Sequence, residues 1–332
     1  MGAAGITCST TEMSAKGDSG MRISLNKVPL RESEMTSYEI MLSESQERML
    51  FVVKKGFEKE VSKIFDKWDL HAVVIGEVED GDRVRIYVGS TKVAEVPSKA
   101  LVLGGDAPVY QRESRVPAYL EKTRKFNAES VKMPSDFNAI LLKLLRSPSI
   151  SSKRWVFEQY DSMVRTNTTL GSEGDAGVVR IKGTQKALAM KTDCNARFVY
   201  LNHRRGAEIA VAESARNVVC VGAKPIAITN CLNFGNPYDP EIYWQFKEAI
   251  GGISSACKSL KTPVTGGNVS FYNEDPSGAV YPTPVIGMLG LIEDQSKAVA
   301  SRFKSAGDIV ILIGSSRAEI GGLQFSPNRE AR

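Results

Sequence analysis

From Asp239 to Leu260 an apolar residue returns every three or four positions: Ile242, Phe246, Ala249, Ile250, Ile253, Cys257 and Leu260. That spacing lines one face of a helix, and such a face must be covered by a sheet or another helix. Asp239-Pro240 supplies the start, a capping carboxylate followed by proline in the first turn. Gly251-Gly252 falls inside the stripe, where each glycine costs about 1 kcal/mol against alanine. The pair therefore predicts close packing on a neighbouring helix or strand.

The surrounding pattern supplies the rest of a domain beginning near Ser149. Gly174-Asp175-Ala176-Gly177 leads into a strand from Val178 to Ile181, with Ala187 to Met190 as its partner, ending at Thr192-Asp193. A helix from Ala207 to Val219 buries Val211, Ala215, Val218 and Val219. The strand Pro225 to Thr229 follows and ends in amides, from Asn230 to Asn236-Pro237. After the long helix, Pro263-Val264 leads into Gly266-Gly267-Asn268-Val269-Ser270. Gly307 to Gly314 reads as the first strand of another domain.

The N-terminal part reads as an α+β sheet domain ending near Leu103. Met21, Ile23 and Leu25 alternate as in a half-buried strand, and Met49 to Val53 reads as a buried one. Phe57, Val61, Ile64, Phe65 and Trp68 recur at helical spacing, which predicts a helix packed on a sheet. His71 to Val78 is a strand, Asp80-Gly81 a hairpin turn, and Val84, Ile86 and Val88 alternate on the next strand. A polar connection from Gly104 follows, with one short helix. Ser135-Asp136 caps a helix through Ile140, Leu141, Leu144 and Leu145, ended by Ser147-Pro148, and Trp155, Phe157 and Tyr160 fall in another short helix.

Composition narrows the function classes. The net charge is +5 over 332 residues, without a dense Lys/Arg block, so nucleic acid binding is not indicated. Five scattered cysteines form no Cys-x-x-Cys pair, which argues against zinc and a disulfide framework. Reduced cytoplasmic thiols are the simple reading. No apolar run is long enough to span a membrane.

Three segments carry chemistry-bearing residues. Gly266-Gly267-Asn268-Val269-Ser270 offers bare backbone N–H groups, an amide oxygen and a hydroxyl, the groups that phosphate and its metal use. Taken alone, it reads as a strand-end turn. Ser43-Glu44-Ser45-Gln46-Glu47-Arg48-Met49 crowds donors and acceptors before the apolar run Leu50-Phe51-Val52-Val53, where a solvated cap or loop is the plainer local reading. The third segment is the amide-rich end at Asn230 to Asn236, otherwise an ordinary Asn-rich turn. His71 and His203 suit structural or solvent-facing roles. Asp175 and Asp193 could face a nucleotide, though carboxylates capping turns are commoner.

Together these segments resemble the synthetase subunit of phosphoribosylformylglycinamidine synthase, the purine-pathway amidotransferase family. The matching blocks are Met1 to Thr7, Tyr38 to Met49, Thr192 to Arg197, Leu232 to Pro237, Gly266 to Ser270 and Tyr281 to Met288. They run in the family's order over nearly the whole chain, and the Ser-Glu-Ser-Gln-Glu-Arg-Met block is the specific one. The resemblance implies α+β, aminoimidazole-ribonucleotide-synthetase-like domains, with mixed sheets covered by helices. It implies that residues 1–103 end the C-terminal-type domain of a first half and that 104–148 are a linker. Residues 149–304 would be the ATP-binding N-terminal-type domain of a second half, and 305–332 the start of its C-terminal-type domain. In the family the Met-Gly-Ala-Ala-Gly block is internal, so the chain is expected to be an inactive fragment on its own, with no catalytic residue of its own.

The implied ligands are ATP and Mg²⁺, and the implied substrate is formylglycinamide ribonucleotide. Glu44, Ser45, Gln46 and Ser270 would bind that substrate, Gly267 and Asn230 ATP, and Asn268 one magnesium. A glutaminase subunit or domain would supply ammonia, and the pattern allows a small accessory subunit; nucleic acid and membrane are not expected partners. At Asn230 the family pattern has an aspartate, which puts that contact in doubt, although an amide still hydrogen-bonds adenine or ribose. The family's catalytic histidine and most of its acidic metal ligands have no counterpart here. Two alternatives stay open: a non-catalytic half that holds a nucleotide as scaffold, and another synthetase of the same superfamily.

Overall fold

The structure is a computed structural model that describes residues 1–44 and 48–315. It divides into two units, one ending at Gln111 and the other beginning at Arg112. In the first, helix α1 (Gly5–Gly17) precedes strand β1 (Gly20–Ser24), followed by α2 (Ser37–Leu42), α3 (Glu58–Asp66), β2 (Gly76–Glu79), β3 (Arg83–Val88) and β4 (Thr91–Pro97). The sheet order is β2-β1-β3-β4, with β1 antiparallel to β2 and parallel to β3. Met21, Ile23, Leu25, Val84 and Ile86 form its core with Ile6 of α1 and Ile40 of α2.

Several expectations for this unit are overturned. Asp80-Gly81 does not close a hairpin, because β1 lies between β2 and β3. The hairpin is β3–β4, turned at Gly89 with φ +58°. Val88, next to that turn, is exposed. Met49 to Val53 forms no strand and exposes Met49, Phe51 and Val52, since no strand pairs with it among the described residues. The strand expected from His71 begins only at Gly76, and Val73 and Val74 are exposed. Helix α3 does form, but none of its residues is buried; Ile64 is 61% exposed. Periodicity gave the helix but not a burying cover; Phe51 meets it edge-on, at 5.4 Å from Phe65.

The second unit opens with α4 (Tyr119–Arg124), α5 (Phe137–Leu145) and α6 (Arg154–Phe157). Asp136 caps α5 by accepting from Ala139 N, as expected, yet the helix buries no residue. Trp155 and Phe157 lie on α6, and Tyr160 falls beyond its end. Strands β5 (Thr168–Leu170), β6 (Gly177–Arg180) and β7 (Ala187–Asp193) precede α7 (Ala196–Leu201) and α8 (His203–Cys220). Then come β8 (Lys224–Asn233), α9 (Pro240–Leu260), β9 (Val264–Ser270), the short pair β10 (Glu274–Asp275) and β11 (Gly278–Ala279), and β12 (Thr283–Ile292). The six-stranded order is β5-β6-β7-β12-β8-β9, mixed in direction because β8 and β9 run parallel.

Helices α8 and α9 cover the sheet, with Val211, Val218, Ala249 and Ile253 packed on Ile228, Phe234, Ile286 and Met288. Gly252 explains the double glycine: a Cβ there would lie 2.2 Å from Arg204 O and 3.2 Å from the Ala207 Cβ. Val219, expected inside, is exposed, being one step round the helix from buried Val218. Gly307 to Gly314 forms no strand, and Ile309 to Ile313 are exposed, without a pairing strand among the described residues.

Candidate functional site

Strands β8 and β9 bring together four of the residues singled out by sequence. The Gly266 to Ser270 stretch is not a turn: it is the C-terminal end of edge strand β9, hydrogen-bonded along β8. In register, Asn230 faces Gly267, Cys231 faces Asn268 and Asn233 faces Ser270. Gly267 is required by contact, since a Cβ there would lie 2.1 Å from Asn230 Oδ1 and 2.4 Å from Asn230 O. Gly266 is different: nothing lies within 4 Å of its Cβ position, so that backbone is open to approach.

Partners across a ladder share a face. Asn230 is in register with Ile286, whose neighbours pack on the helices, so Asn230 and Gly267 lie on the helix side. Asn268 and Ser270 lie on the opposite side with Cys231 and Asn233. Asn268 is exposed and Ser270 half-buried.

The end of the strand pair is held by a residue that sequence reading missed. Asn273 Nδ2 donates to Phe234 O at 3.0 Å and to Ser270 O at 2.8 Å, and shares a bond with Ser270 Oγ. Tyr272, at φ +62°, turns the chain to make this possible. The only sequence signal was an asparagine three places after the serine. Nearby, Asn236 N donates to Glu274 Oε2 at 3.1 Å, tying the amide-rich loop to β10.

Other titratable residues are structural. Asp193 accepts from Asn217 Nδ2 at 2.7 Å. Burial, with Asp193 and Glu213 adding to it, pushes the Cys194 thiol up to about 12, so it stays protonated and unreactive. His203 opens α8 and is buried, which fits a structural role and not a solvent-facing one. The Tyr119 hydroxyl contacts both Tyr200 O and His203 Nε2 at 2.8 Å. One phenol proton serves one of those contacts, so with the carbonyl taking it, Nε2–H is the donor and Nδ1 a bare acceptor. Nδ1 is buried without a partner among the described residues, and burial lowers this imidazole to about 4.

Glu44, exposed, belongs to the first unit, while Ser45 and Gln46 lie outside the described residues. Among the described residues no three His, Cys, Asp or Glu side chains converge as metal ligands, so Asn268 would offer magnesium a single oxygen and no complete shell. Neither of two shallow depressions is lined by β8 or β9 residues: one of about 560 Å³ is lined by Arg165, Asn167, Arg180 and Lys182, and one of about 540 Å³, in the first unit, by Glu34, Tyr38 and Ser43. No helix among the described residues is long and apolar enough to cross a membrane.

Known proteins resemble this chain in sequence and fold. Residues 1–89 match the C-terminal domain of AIR synthase related proteins, and residues 173–292 match their N-terminal domain. The chain is 54% identical over 325 residues to phosphoribosylformylglycinamidine synthase subunit PurL of Thermoanaerobacter sp. (strain X514), covering 98% of this chain and 44% of the relative. For the Salinibacter ruber protein of the same name, identity is 56% over 317 residues, covering 94% and 42%. The solved Thermotoga maritima PurL complexed with ATP has a TM-score of 0.68 at 32% identity, covering 91% of this chain and 47% of that one. The same protein complexed with FGAR gives 0.69 at 33%, covering 91% and 46%. The chain thus spans less than half the length of the relatives it matches.

Proposed function

Because this chain belongs to the AIR synthase related family, alongside the PurL subunits of phosphoribosylformylglycinamidine synthase, we propose that it is part of an ATP-dependent carbon–nitrogen ligase of purine biosynthesis. The substrate is formylglycinamide ribonucleotide. Its amide oxygen takes a phosphoryl group from ATP, ammonia adds at the amide carbon, and phosphate leaves to give the amidine. The ammonia comes from glutamine through a glutaminase subunit or domain, in the cytoplasm.

The observation that carries this reading is the contact between Asn230 and Gly267, with Asn268 and Ser270 next along the same edge strand. Solved relatives complexed with ATP and with FGAR add support. Asn230 donates its amide to adenine or ribose, and Gly266 leaves its stretch of the strand backbone open to the nucleotide. Ser270, held by Asn273, offers a hydroxyl to the substrate, and Glu44, Ser45 and Gln46 are assigned to reading the ribonucleotide. Asn268 gives one oxygen to magnesium, whose remaining ligands come from outside the described residues.

A second reading, a half that holds nucleotide without turning it over, is favoured by the lack of converging carboxylates among the described residues. Turnover separates the two. Given ATP, Mg²⁺, ammonia and formylglycinamide ribonucleotide, the chain alone is expected to make no amidine. In the full-length synthetase, Asn268→Ala should lower activity and shift its magnesium dependence. Unchanged kinetics in a folded variant would overturn the assignment, and lost nucleotide binding with full turnover would favour the scaffold.

A further inference from the structure

The hydroxyl of Ser270 is held from one side, and the way it is held decides what it can bind. Asn273 is fixed through its backbone: its N–H donates to Phe234 O at 3.1 Å, and its carbonyl accepts from Val280 N at 2.9 Å. Phe234 is fully buried, so this anchor belongs to the core and not to the edge of the sheet. From there the Asn273 side chain reaches Phe234 O at 3.0 Å and Ser270 O at 2.8 Å. The atom facing both carbonyls must be the nitrogen, since an oxygen there would leave three acceptors together without a proton. An amide nitrogen carries two hydrogens, and the two carbonyls take them.

Ser270 Oγ lies 3.2 Å from that nitrogen and 3.3 Å from Asn273 Oδ1. With both amide hydrogens spent, the hydroxyl proton goes to Oδ1, its one acceptor among the described residues. Asn233, opposite Ser270 in register, gives its own amide hydrogens to Cys231 O and Thr283 O at 3.1 and 3.2 Å. The lone pairs of Ser270 Oγ are therefore left for a ligand, and its proton is not. We propose that Ser270 meets the ribonucleotide as a hydrogen-bond acceptor, with Asn273 as the positioning residue that makes it one. Ser270 then reads an uncharged N–H or O–H of the substrate, from its amides or its ribose, and not its phosphate, whose oxygens only accept. This rests on the assignment of Ser270 to substrate binding.

The test uses the full-length synthetase and two ligands, formylglycinamide ribonucleotide and the same molecule without its phosphate. Ser270→Ala keeps the carbonyl that Asn273 clasps. It should weaken both ligands by the same factor, about threefold to tenfold for one uncharged hydrogen bond, with the KM for ATP unchanged. Asn273→Ala should raise the substrate KM similarly in the parent and add little in the Ser270→Ala background, because the two act as a unit. A 2′,3′-dideoxyribose analogue names the donor: the Ser270→Ala loss persists if an amide is read and vanishes if the ribose is, and either fits the proposal. A loss confined to the phosphorylated ligand would overturn the proposal while leaving Ser270 a substrate residue. Additive losses in the double variant would overturn the role of Asn273. No loss with either ligand would remove Ser270 from the substrate site, and the proposal with it.

Discussion

The two sheets of this protein are covered to different degrees. In the second unit both long helices find a partner: α8 and α9 bury their stripes on β8 and β12, and Gly252 lets them approach each other. In the first unit α3 has an equally regular stripe but fully buries none of it, and the apolar run at Met49 to Val53 leaves Met49, Phe51 and Val52 exposed. A 3.6-residue period states that a helix has an apolar face. It does not state which element covers that face, which depends on strands far away in the chain.

The sharpest test of this difference is a pair of core substitutions, one that removes bulk and one that adds it. Phe234 is fully buried and meets Phe246 edge-on at 5.4 Å. Phe234→Ala should cost about 3–5 kcal/mol in urea unfolding. Gly252→Val should cost about 3 kcal/mol, since backbone and not a flexible side chain occupies the space its Cβ needs.

A pH titration probes the same helical layer. His203 has a folded pKa of about 4, below its ordinary 6.5, because burial disfavours the charged ring. The unfolded chain therefore binds the proton first. The stabilising contribution is complete above pH 6.5 and is lost as pH falls towards 4, by on the order of 2–3 kcal/mol. Unfolding curves between pH 4 and 7 should show this slope, and His203→Gln should flatten it. The smallest effect belongs to the first unit. Ile64→Ala should change stability by no more than about 0.5 kcal/mol, because that side chain is already in water. A cost like that of Phe234→Ala would mean that the α3 face is covered in solution.

Much of the second unit was legible because its signals are local. Asp239-Pro240 marked the start of α9, the double glycine marked its close neighbour, and Val178 with Ala187 marked a hairpin that the register reproduces. The failures are non-local. Asp80-Gly81 has good hairpin chemistry, but β1 pairs with both flanking strands and separates them. Gly266-Gly267 has good turn chemistry, but the parallel ladder to β8 holds it extended. The candidate site was legible as residue types at Asn230, Gly267, Asn268 and Ser270. Their division between two faces of a sheet was not, because faces are set by register and register by partners.

That inserted strand has a consequence for how the first unit folds. Met21 pairs with Val84, some sixty positions later, so the central ladder cannot start from a nearby turn. The β3–β4 hairpin can close early, within about 1–10 μs on the usual scale for hairpins. β2 must then be kept off β3 until β1 has docked between them, and a premature β2–β3 hairpin across Asp80-Gly81 would have to reopen first. The last step is a search over a long loop, which slows folding more than it alters stability. In refolding experiments the first unit should gain its sheet after the β3–β4 hairpin forms, and a variant that weakens the Asp80-Gly81 turn should fold faster.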